Sequence, residues 1–352
     1  MEEWEAVGRI MASEIELKLC LTAAGLRHLR TAWLPAFTDA PIKTTQLRNT
    51  YFDTPALALH ERRVALRLRE KGGRIIQTLK TQGQSQGGLH QRDEWEWEIP
   101  QPQLDASLLQ SVAFPPEVAV ADLRPLFTTD FERAQVDIRL GGSLIELALD
   151  QGEVRANGRV APVLEVELEL KQGAPESLFA LARQIASQVP VWASDVSKAE
   201  RGYGLAGSGM TNESAPRARA QAVSGQSMWH AGVQLHRRWL RGIEVFRTEP
   251  SFAGLLAVDR SLAALRAVVQ ELVVDDAIAA GEDESGLLSF MDAAQADMAR
   301  LLAEFATVGE KESLTGFEAS PHAGLFSLAV SQYLMAHANK AAHANKVARA
   351  QS

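Results

Sequence analysis

Several classes of protein are excluded by what this 352-residue chain has little of. Cys20 is the only cysteine, so the chain has neither a disulfide framework nor a cysteine-rich zinc site, and a reducing cytoplasm is the expected compartment. No apolar run approaches the roughly 20 residues of a membrane span. The first residues also lack the hydrophobic core of a signal peptide. We therefore expect a soluble cytoplasmic protein with no membrane partner.

An excess of basic residues is also missing. The formal net charge is −8, which argues against a general nucleic-acid surface but is compatible with a local basic cavity. No glycine-rich loop is followed by Lys and Ser or Thr, so a P-loop is excluded. Hydrophobic residues make up 46% of the chain. That content and the length predict a sizeable core and about two domains.

The first part of the chain alternates between apolar and polar residues with a period of two, which is typical of strands. Glycine turn signals between several of the alternating segments predict hairpins. Two segments, 22–36 and 175–189, instead have helical spacing, and Thr22 is a suitable N-cap. This predicts a domain over residues 11–206 with eight strands, at 14–19, 44–52, 64–69, 74–81, 89–99, 131–140, 143–150 and 163–171.

The remainder of the chain has a different composition. Residues 207–227 are rich in Gly, Ser and Ala without hydrophobic periodicity, which predicts a linker. The Ala/Leu/Arg-rich region that follows, residues 228–350, is predicted to be an all-α domain. Its predicted helices lie at 229–248, 252–274, 286–308 and 322–349.

Each predicted strand carries its charged residues on one face and its aliphatic residues on the other. In the last strand, Glu165, Glu167 and Glu169 share a face. Carboxylates two residues apart in a strand repel by about 2–2.5 kcal/mol at an effective dielectric of about 20. Cations are therefore expected beside them. The other charged positions with this parity are Glu14, Glu16, Lys18, Arg67, Arg69, Lys80, Arg92, Glu94, Glu96, Glu98, Arg133, Asp137, Arg139, Glu146 and Asp150.

Two interpretations of this ionic face remain open at this point. An antiparallel sheet with one solvated face explains any single strand. All the strands together favour a closed barrel with a charged interior, because these positions are mainly Arg, Lys and Glu and seldom Ser, Thr or Gln. Such an interior suits a polyanion accompanied by divalent cations. Trp95 and Trp97 are expected to pack outside the barrel, and Glu98 and Lys171, at strand ends, to be solvated.

The segment Glu14-Ile15-Glu16-Leu17-Lys18 resembles the ExExK motif of the CYTH superfamily, the triphosphate tunnel metalloenzymes. The resemblance extends over about residues 13–205. Within the superfamily, the chain is most similar to bacterial inorganic triphosphatases that carry a helical CHAD domain after the tunnel. The further matching segments, in chain order, are 51–55, 66–69, 78–80, 87–92, 146–150, 164–170 and 197–203.

The resemblance implies an α+β fold, with an eight-stranded antiparallel β-barrel tunnel, flanking helices and a following all-α domain. It also implies Mg²⁺ or Mn²⁺ as the cofactor and inorganic triphosphate as the substrate. The implied metal ligands are Glu14, Glu16, Glu165 and Glu167, with Glu146 and Asp150 as candidates for a second metal. The implied catalytic residues are Glu94, Glu169 and Lys198, and the implied phosphate-binding residues are Lys18, Arg67, Arg69, Lys80, Arg92, Arg133 and Lys198.

On this resemblance, the expected reaction is metal-dependent hydrolysis of inorganic triphosphate to pyrophosphate and phosphate. The alternatives are hydrolysis of thiamine triphosphate or a nucleoside triphosphate, cyclisation of ATP, or polyphosphate binding without catalysis. In the helical region, Arg237 and Arg241 are four residues apart and share a helix face. Because CHAD domains bind polyphosphate, the resemblance makes polyphosphate a candidate partner of this region. Two interpretations of the region stay open: a degenerate or truncated CHAD domain, and a purely structural helical domain.

Overall fold

The computed structural model describes residues 9–208 except 82, 111 and 113, together with residues 225–280 and 285–350. Within these residues, ten strands form one antiparallel sheet. They are β1 (Arg9–Leu21), β2 (Lys43–Asp53), β3 (Ala65–Lys71), β4 (Arg74–Lys80), β5 (Gln84–Gln86), β6 (Leu89–Ile99), β7 (Arg124–Leu140), β8 (Ser143–Ala156), β9 (Arg159–Gln172) and β10 (Val191–Ala193).

Eight of these strands close into a barrel. Their order is β1-β9-β8-β7-β2-β3-β4-β6, and β6 pairs back with β1, where Glu14 lies opposite Arg92. This confirms the predicted eight-stranded antiparallel barrel. The two strands missing from the prediction lie outside the ring: β5 pairs with β6, and β10 pairs with β1. Each has only three residues, which is too short for an alternating pattern to be recognised.

The flanking helices cover the aliphatic outer face of the barrel. Thr22 accepts a hydrogen bond from the Gly25 amide at 3.0 Å, so the predicted N-cap is confirmed. Leu17 and Leu168 are fully buried in a cluster with Phe179, and burial of each such leucine stabilises the fold by about 1.5–3 kcal/mol. The helices are α1 (Ala23–His28), continued through a wider turn at Leu29–Trp33, α2 (Leu34–Phe37), α3 (Ala58–Glu61), α4 (Ala106–Leu109), α5 (Glu176–Ala186) and α6 (Lys198–Tyr203).

The rest of the described chain is helical, as predicted. It consists of α7 (Gly225–Thr248), α8 (Phe252–Ala280), α9 (Ser285–Ala319) and α10 (His322–Ala350). Gly309 has a φ of 84°, which interrupts α9 directly after the predicted helix end at residue 308. Most of the predicted linker, residues 209–224, lies outside the described residues, so the domain boundaries stay a prediction.

The helical region packs against the barrel at the β5–β6 hairpin and at β10. Arg237 donates a hydrogen bond to the Ser85 carbonyl at 2.7 Å, and Ser331 donates one to the Gly87 carbonyl at 2.8 Å. A Cβ atom on Gly324 would lie 1.7 Å from the Val191 carbonyl oxygen, so only glycine permits this approach of α10 to β10. Among the described helices, none combines the length and apolarity needed to cross a bilayer.

Candidate functional site in the barrel interior

The closed sheet surrounds a cavity of about 1290 Å³ whose wall carries many charged side chains. Asp150 and Glu165 are fully buried behind this wall. The other predicted site residues line the cavity: Glu14, Glu16, Lys18, Arg67, Arg69, Lys80, Arg92, Glu94, Arg133, Glu146, Glu167, Glu169 and Lys198.

Ion pairs join β1, β4 and β6 on one side of the cavity. The Lys80 ammonium lies 3.0 Å from Glu14 Oε2 and 2.9 Å from Glu94 Oε2, and Arg92 Nη2 lies 2.7 Å from Glu16 Oε1. Although burial opposes the charged forms, Glu14 and Glu94 raise the pKa of Lys80, and Glu16 and Glu14 raise that of Arg92. Both cations are therefore held charged at the cavity wall.

Lys198 connects three carboxylates of β8 and β9, the strands that follow β1 in the ring. Its ammonium lies 2.8 Å from Asp150 Oδ2, 2.5 Å from Glu165 Oε2 and 2.8 Å from Glu167 Oε1. Together these carboxylates outweigh the burial that disfavours a charged lysine, and they raise its pKa. Arg133 also pairs with Asp150, at 2.7 Å, and with Glu167. This group of four residues plus Arg133 is called the Lys198 cluster below.

The local sequence explains why Lys198 reaches this position. Ser197 is the N-cap of α6: its side chain accepts from the Glu200 amide at 3.1 Å, and the Glu200 carboxylate accepts from the Ser197 amide at 2.8 Å. This reciprocal pair is a capping box. It fixes the start of the helix, so Lys198, the first helical residue, is held beside β8 and β9.

Arg69 is the least neutralised arginine of those predicted to bind phosphate. Its closest carboxylate contact is Glu96 at 3.9 Å, and its Nε donates to Asn49 Oδ1 at 2.8 Å. Burial and the neighbouring cations Arg67 and Arg133 lower its pKa to about 10, which still leaves it charged near neutral pH. An anion in the cavity would therefore relieve repulsion among these three arginines.

Glu169 differs from the other cavity carboxylates. In the strand register, Glu169 lies opposite Glu16 of β1 and opposite Glu146 of β8. Burial, together with Glu14 and Glu146, raises its pKa to about 7, even though Lys171 lies 2.7 Å away and opposes the shift. A carboxyl group with this pKa can accept and release a proton near neutral pH.

Several residues at the cavity were not assigned a role from the sequence. Glu96 had the correct parity, and Lys171, expected in solvent, lies at the wall. Arg201 contacts Glu165 at 2.8 Å, across 36 positions of the chain, and no local pattern signals such a contact. Arg237 and Arg241 extend the wall from α7. Outside the barrel, Trp97 packs in an apolar cluster, and Glu98 is 57% exposed beside Arg74.

The carboxylate oxygens of the cavity fit a hard divalent cation, because Mg²⁺ and Mn²⁺ prefer oxygen ligands. One oxygen each from Asp150, Glu165 and Glu167 lie within 4.8 Å of one another, but Lys198 already bridges these three residues. Asp150 and Glu165 would bind a metal only after releasing this lysine. Glu14, Glu16 and Glu167 are also paired with cations, but unlike Asp150 and Glu165 they line the open cavity, where a metal could compete with these cations for their oxygens.

Comparison with known proteins gives a family and a relative. The family model of the CYTH domain matches residues 12–203. An inorganic triphosphatase of Haemophilus influenzae is 34% identical over 195 residues, which is 55% of this chain and 55% of that protein. The chain thus aligns over about half the length of this curated relative.

Two solved structures are similar to the barrel. One is a putative adenylyl cyclase from Hippeastrum, described as having a dominant triphosphatase activity: it is 24% identical, with a TM-score of 0.42, over 53% of this chain and 95% of that one. The other is a putative adenylate cyclase from Bacillus halodurans: it is 20% identical, with a TM-score of 0.31, over 51% of this chain and 95% of that one. With TM-scores below 0.5, neither likeness carries an argument about function.

Proposed function

The chain belongs to the CYTH domain family, and on this basis we propose that it hydrolyses inorganic triphosphate to pyrophosphate and phosphate inside the barrel. The observation that supports this most is the composition of the cavity wall, where arginines and lysines alternate with carboxylates around one enclosed space. The cations can pair with the negatively charged oxygens of a triphosphate. The carboxylates would have little use in a module that only binds anions.

The basic residues would bind and orient the substrate. Arg67, Arg69, Lys80 and Arg92 lie on adjacent strands, so their donors can contact successive phosphate groups along the cavity. On binding, a substrate phosphate would take the place of some of the carboxylates that now pair with these cations. Because Arg69 has the fewest such pairs, it is the natural first contact.

A divalent cation would be held by Glu14, Glu16 and Glu167, and when bound it supplies positive charge that offsets the charge of the phosphate oxygens. In the reaction, the oxygen of a water molecule forms a bond to the terminal phosphorus, and the bond to the leaving pyrophosphate breaks. Glu169, with its pKa of about 7, is proposed to accept a proton of that water. Lys80 and Arg92 would stabilise the charge of the pyrophosphate.

Phosphate release tests the proposal. The purified full chain should release phosphate from inorganic triphosphate with Mg²⁺ or Mn²⁺, and not in EDTA. ATP and thiamine triphosphate should be assayed in parallel, since a cavity of about 1290 Å³ has room for either. Faster turnover of ATP or thiamine triphosphate would make that compound, and not inorganic triphosphate, the preferred substrate. Absence of turnover with all three compounds would contradict an enzymatic role.

A second candidate function is binding of longer polyphosphate across the cavity mouth. Arg237 and Arg241 of α7 line the same cavity as the barrel residues, and the Arg241 guanidinium is 4.0 Å from its nearest carboxylate partner, Glu200. A chain longer than triphosphate could therefore extend from the barrel to α7. Arg241→Gln should weaken binding of long-chain polyphosphate and leave triphosphate turnover within about twofold. Equal effects on both anions would contradict this extended site.

A further inference from the structure

The helical region contributes a buried carboxylate to the ionic network behind the barrel wall. Glu244 lies on α7 and is 6% exposed. Its Oε1 accepts from Arg201 Nε at 3.1 Å and lies 2.9 Å from Arg201 Nη2. Arg201 belongs to α6, three residues after Lys198, so this contact joins the helical region to the helix that carries the Lys198 cluster.

The network continues from Arg201 into that cluster. Arg201 Nη1 donates to Glu165 Oε1 at 2.8 Å, while Lys198 donates to the other oxygen, Oε2, at 2.5 Å. The two oxygens of Glu165 are thus shared between two cations. Arginine normally binds a carboxylate through two parallel hydrogen bonds. Arg201 is prevented from taking both oxygens of Glu165 because its Nε and Nη2 are directed at Glu244.

We propose that Glu244 is a positioning residue that holds Lys198 at the cavity wall through Arg201 and Glu165. Without the charge of Glu244, Arg201 turns toward Glu165 and binds both of its oxygens. Lys198 then loses its shortest contact and is left with Asp150 and Glu167 alone. The lysine shifts from its place at the cavity wall, so that its ammonium becomes less available to a phosphate group and Glu167 becomes less available to a cation.

The first test does not depend on the reaction. In the ¹⁵N-labelled full chain, a buried lysine ammonium that contacts three carboxylates gives its own NMR signal. The signal of Lys198 is assigned by its loss in Lys198→Arg. Glu244→Gln keeps the side-chain volume and an oxygen that accepts from Arg201, so the fold should be retained. The Lys198 signal is expected to shift or disappear in Glu244→Gln. An unchanged signal would overturn the proposal.

The matched control is Glu318→Gln. Glu318 lies on α9 and pairs at 3.1 Å with Arg247 of α7, which itself donates to the Leu21 carbonyl of β1 at 3.2 Å; Glu318 has no contact with Arg201 among the described residues. Arg247 also lies 4.0 Å from Glu244 Oε2, so this substitution disturbs the surroundings of Glu244 but keeps its charge and both contacts of its Oε1 with Arg201. The Lys198 signal should stay in place in this variant. An equal shift in both variants would show that Glu244 acts only through general packing.

The second test rests on the proposed function, and it measures affinity for inorganic triphosphate by calorimetry in EDTA. Glu244→Gln is expected to weaken binding about fivefold or more, and Glu244→Asp should restore part of it. In a Lys198→Met background, Glu244→Gln should have no further effect, because both changes act on the same lysine. Additive effects would overturn the proposal. If the wild-type chain neither binds triphosphate in this measurement nor hydrolyses it with Mg²⁺ or Mn²⁺, the proposed function fails, while the NMR result still decides the role of Glu244.

Discussion

The ammonium of Lys80 lies 3.0 Å from Glu14 Oε2, although 66 residues separate them in the chain. The two residues come from β4 and β1, which are not paired with each other; β6 lies between them and closes the ring. This contact therefore spans β6 on the inner face of the barrel wall. Substituting members of such pairs between strands tests both the fold and the proposed chemistry.

Glu14→Gln is predicted to lower metal-dependent kcat with inorganic triphosphate by about 100-fold, because a carboxylate oxygen is replaced by a weaker metal ligand. The half-saturating Mg²⁺ concentration should rise as well. Glu98→Gln is the matched control: Glu98 is on the same sheet but 57% exposed and paired with Arg74 outside the cavity. Activity within about twofold of wild type in Glu14→Gln would show that Glu14 is not a metal ligand.

Arg69→Gln is predicted to raise KM for inorganic triphosphate about tenfold or more, because a charged hydrogen bond to the substrate is lost. The side chain is 13% exposed, and its weak pairing with Glu96 leaves its charge available to an anion. The control is Arg74→Gln. The Arg74 side chain lies on the neighbouring strand and is 57% exposed, so this substitution should leave KM unchanged. Steady-state kinetics at fixed ionic strength measure both. A large fall in kcat with constant KM would instead indicate that Arg69 acts only in the transition state.

Ser197→Ala is predicted to reduce the free energy of unfolding by about 1 kcal/mol, since it removes the cap of α6. Turnover should also fall, because the helix start that places Lys198 is loosened. Thr22→Ala removes a comparable cap on α1, on the outer side of the barrel. It should cost similar stability in a urea titration but leave turnover unchanged. Equal losses of turnover in both variants would mean that α6 has no special role.

Glu169 predicts how stability depends on pH in metal-free buffer. Its folded-state pKa is about 7, above the usual 4.5, so the folded state retains the proton more strongly than the unfolded state. Its contribution is fully present below about pH 4.5 and is lost as the pH rises to about 7, with a limit of about 3 kcal/mol. Urea titrations of wild type and Glu169→Gln measure this.

In Glu169→Gln, this decrease between pH 4.5 and 7 should disappear. The control variant Glu98→Gln should keep it, since Glu98 lies at the outer end of β6. The same decrease in wild type and Glu169→Gln would show that another group titrates in this range.

The polarity of each strand face was predictable from the sequence, and the register of the strands was not. Alternation alone placed Glu14 with Glu16, and Arg67 with Arg69, on the ionic face of their own strands, because side chains in a strand point to alternate sides. The helices at α1 and α5 were predictable from their spacing. Strands of three residues, such as β5 and β10, left no pattern to read.

The partners of each charge could not be predicted. Parity assigned Asp150, Glu165 and Glu167 to one face, but it did not show that Lys198 bridges all three or that Arg201 shares Glu165. These contacts join residues that are far apart in the chain. Their formation depends on how the barrel closes and on where α6 begins.

The amino-acid sequence by itself determined that one face of the sheet is ionic and the other aliphatic, since a period of two is a local property of the chain. It also determined the change to helical spacing after residue 228. Only the tertiary structure decided which carboxylates line the open cavity and which are buried behind its wall, and which cation pairs with each of them. The physical reason is that burial and charge pairing depend on distances across the closed barrel, and these distances are set by strand order and register.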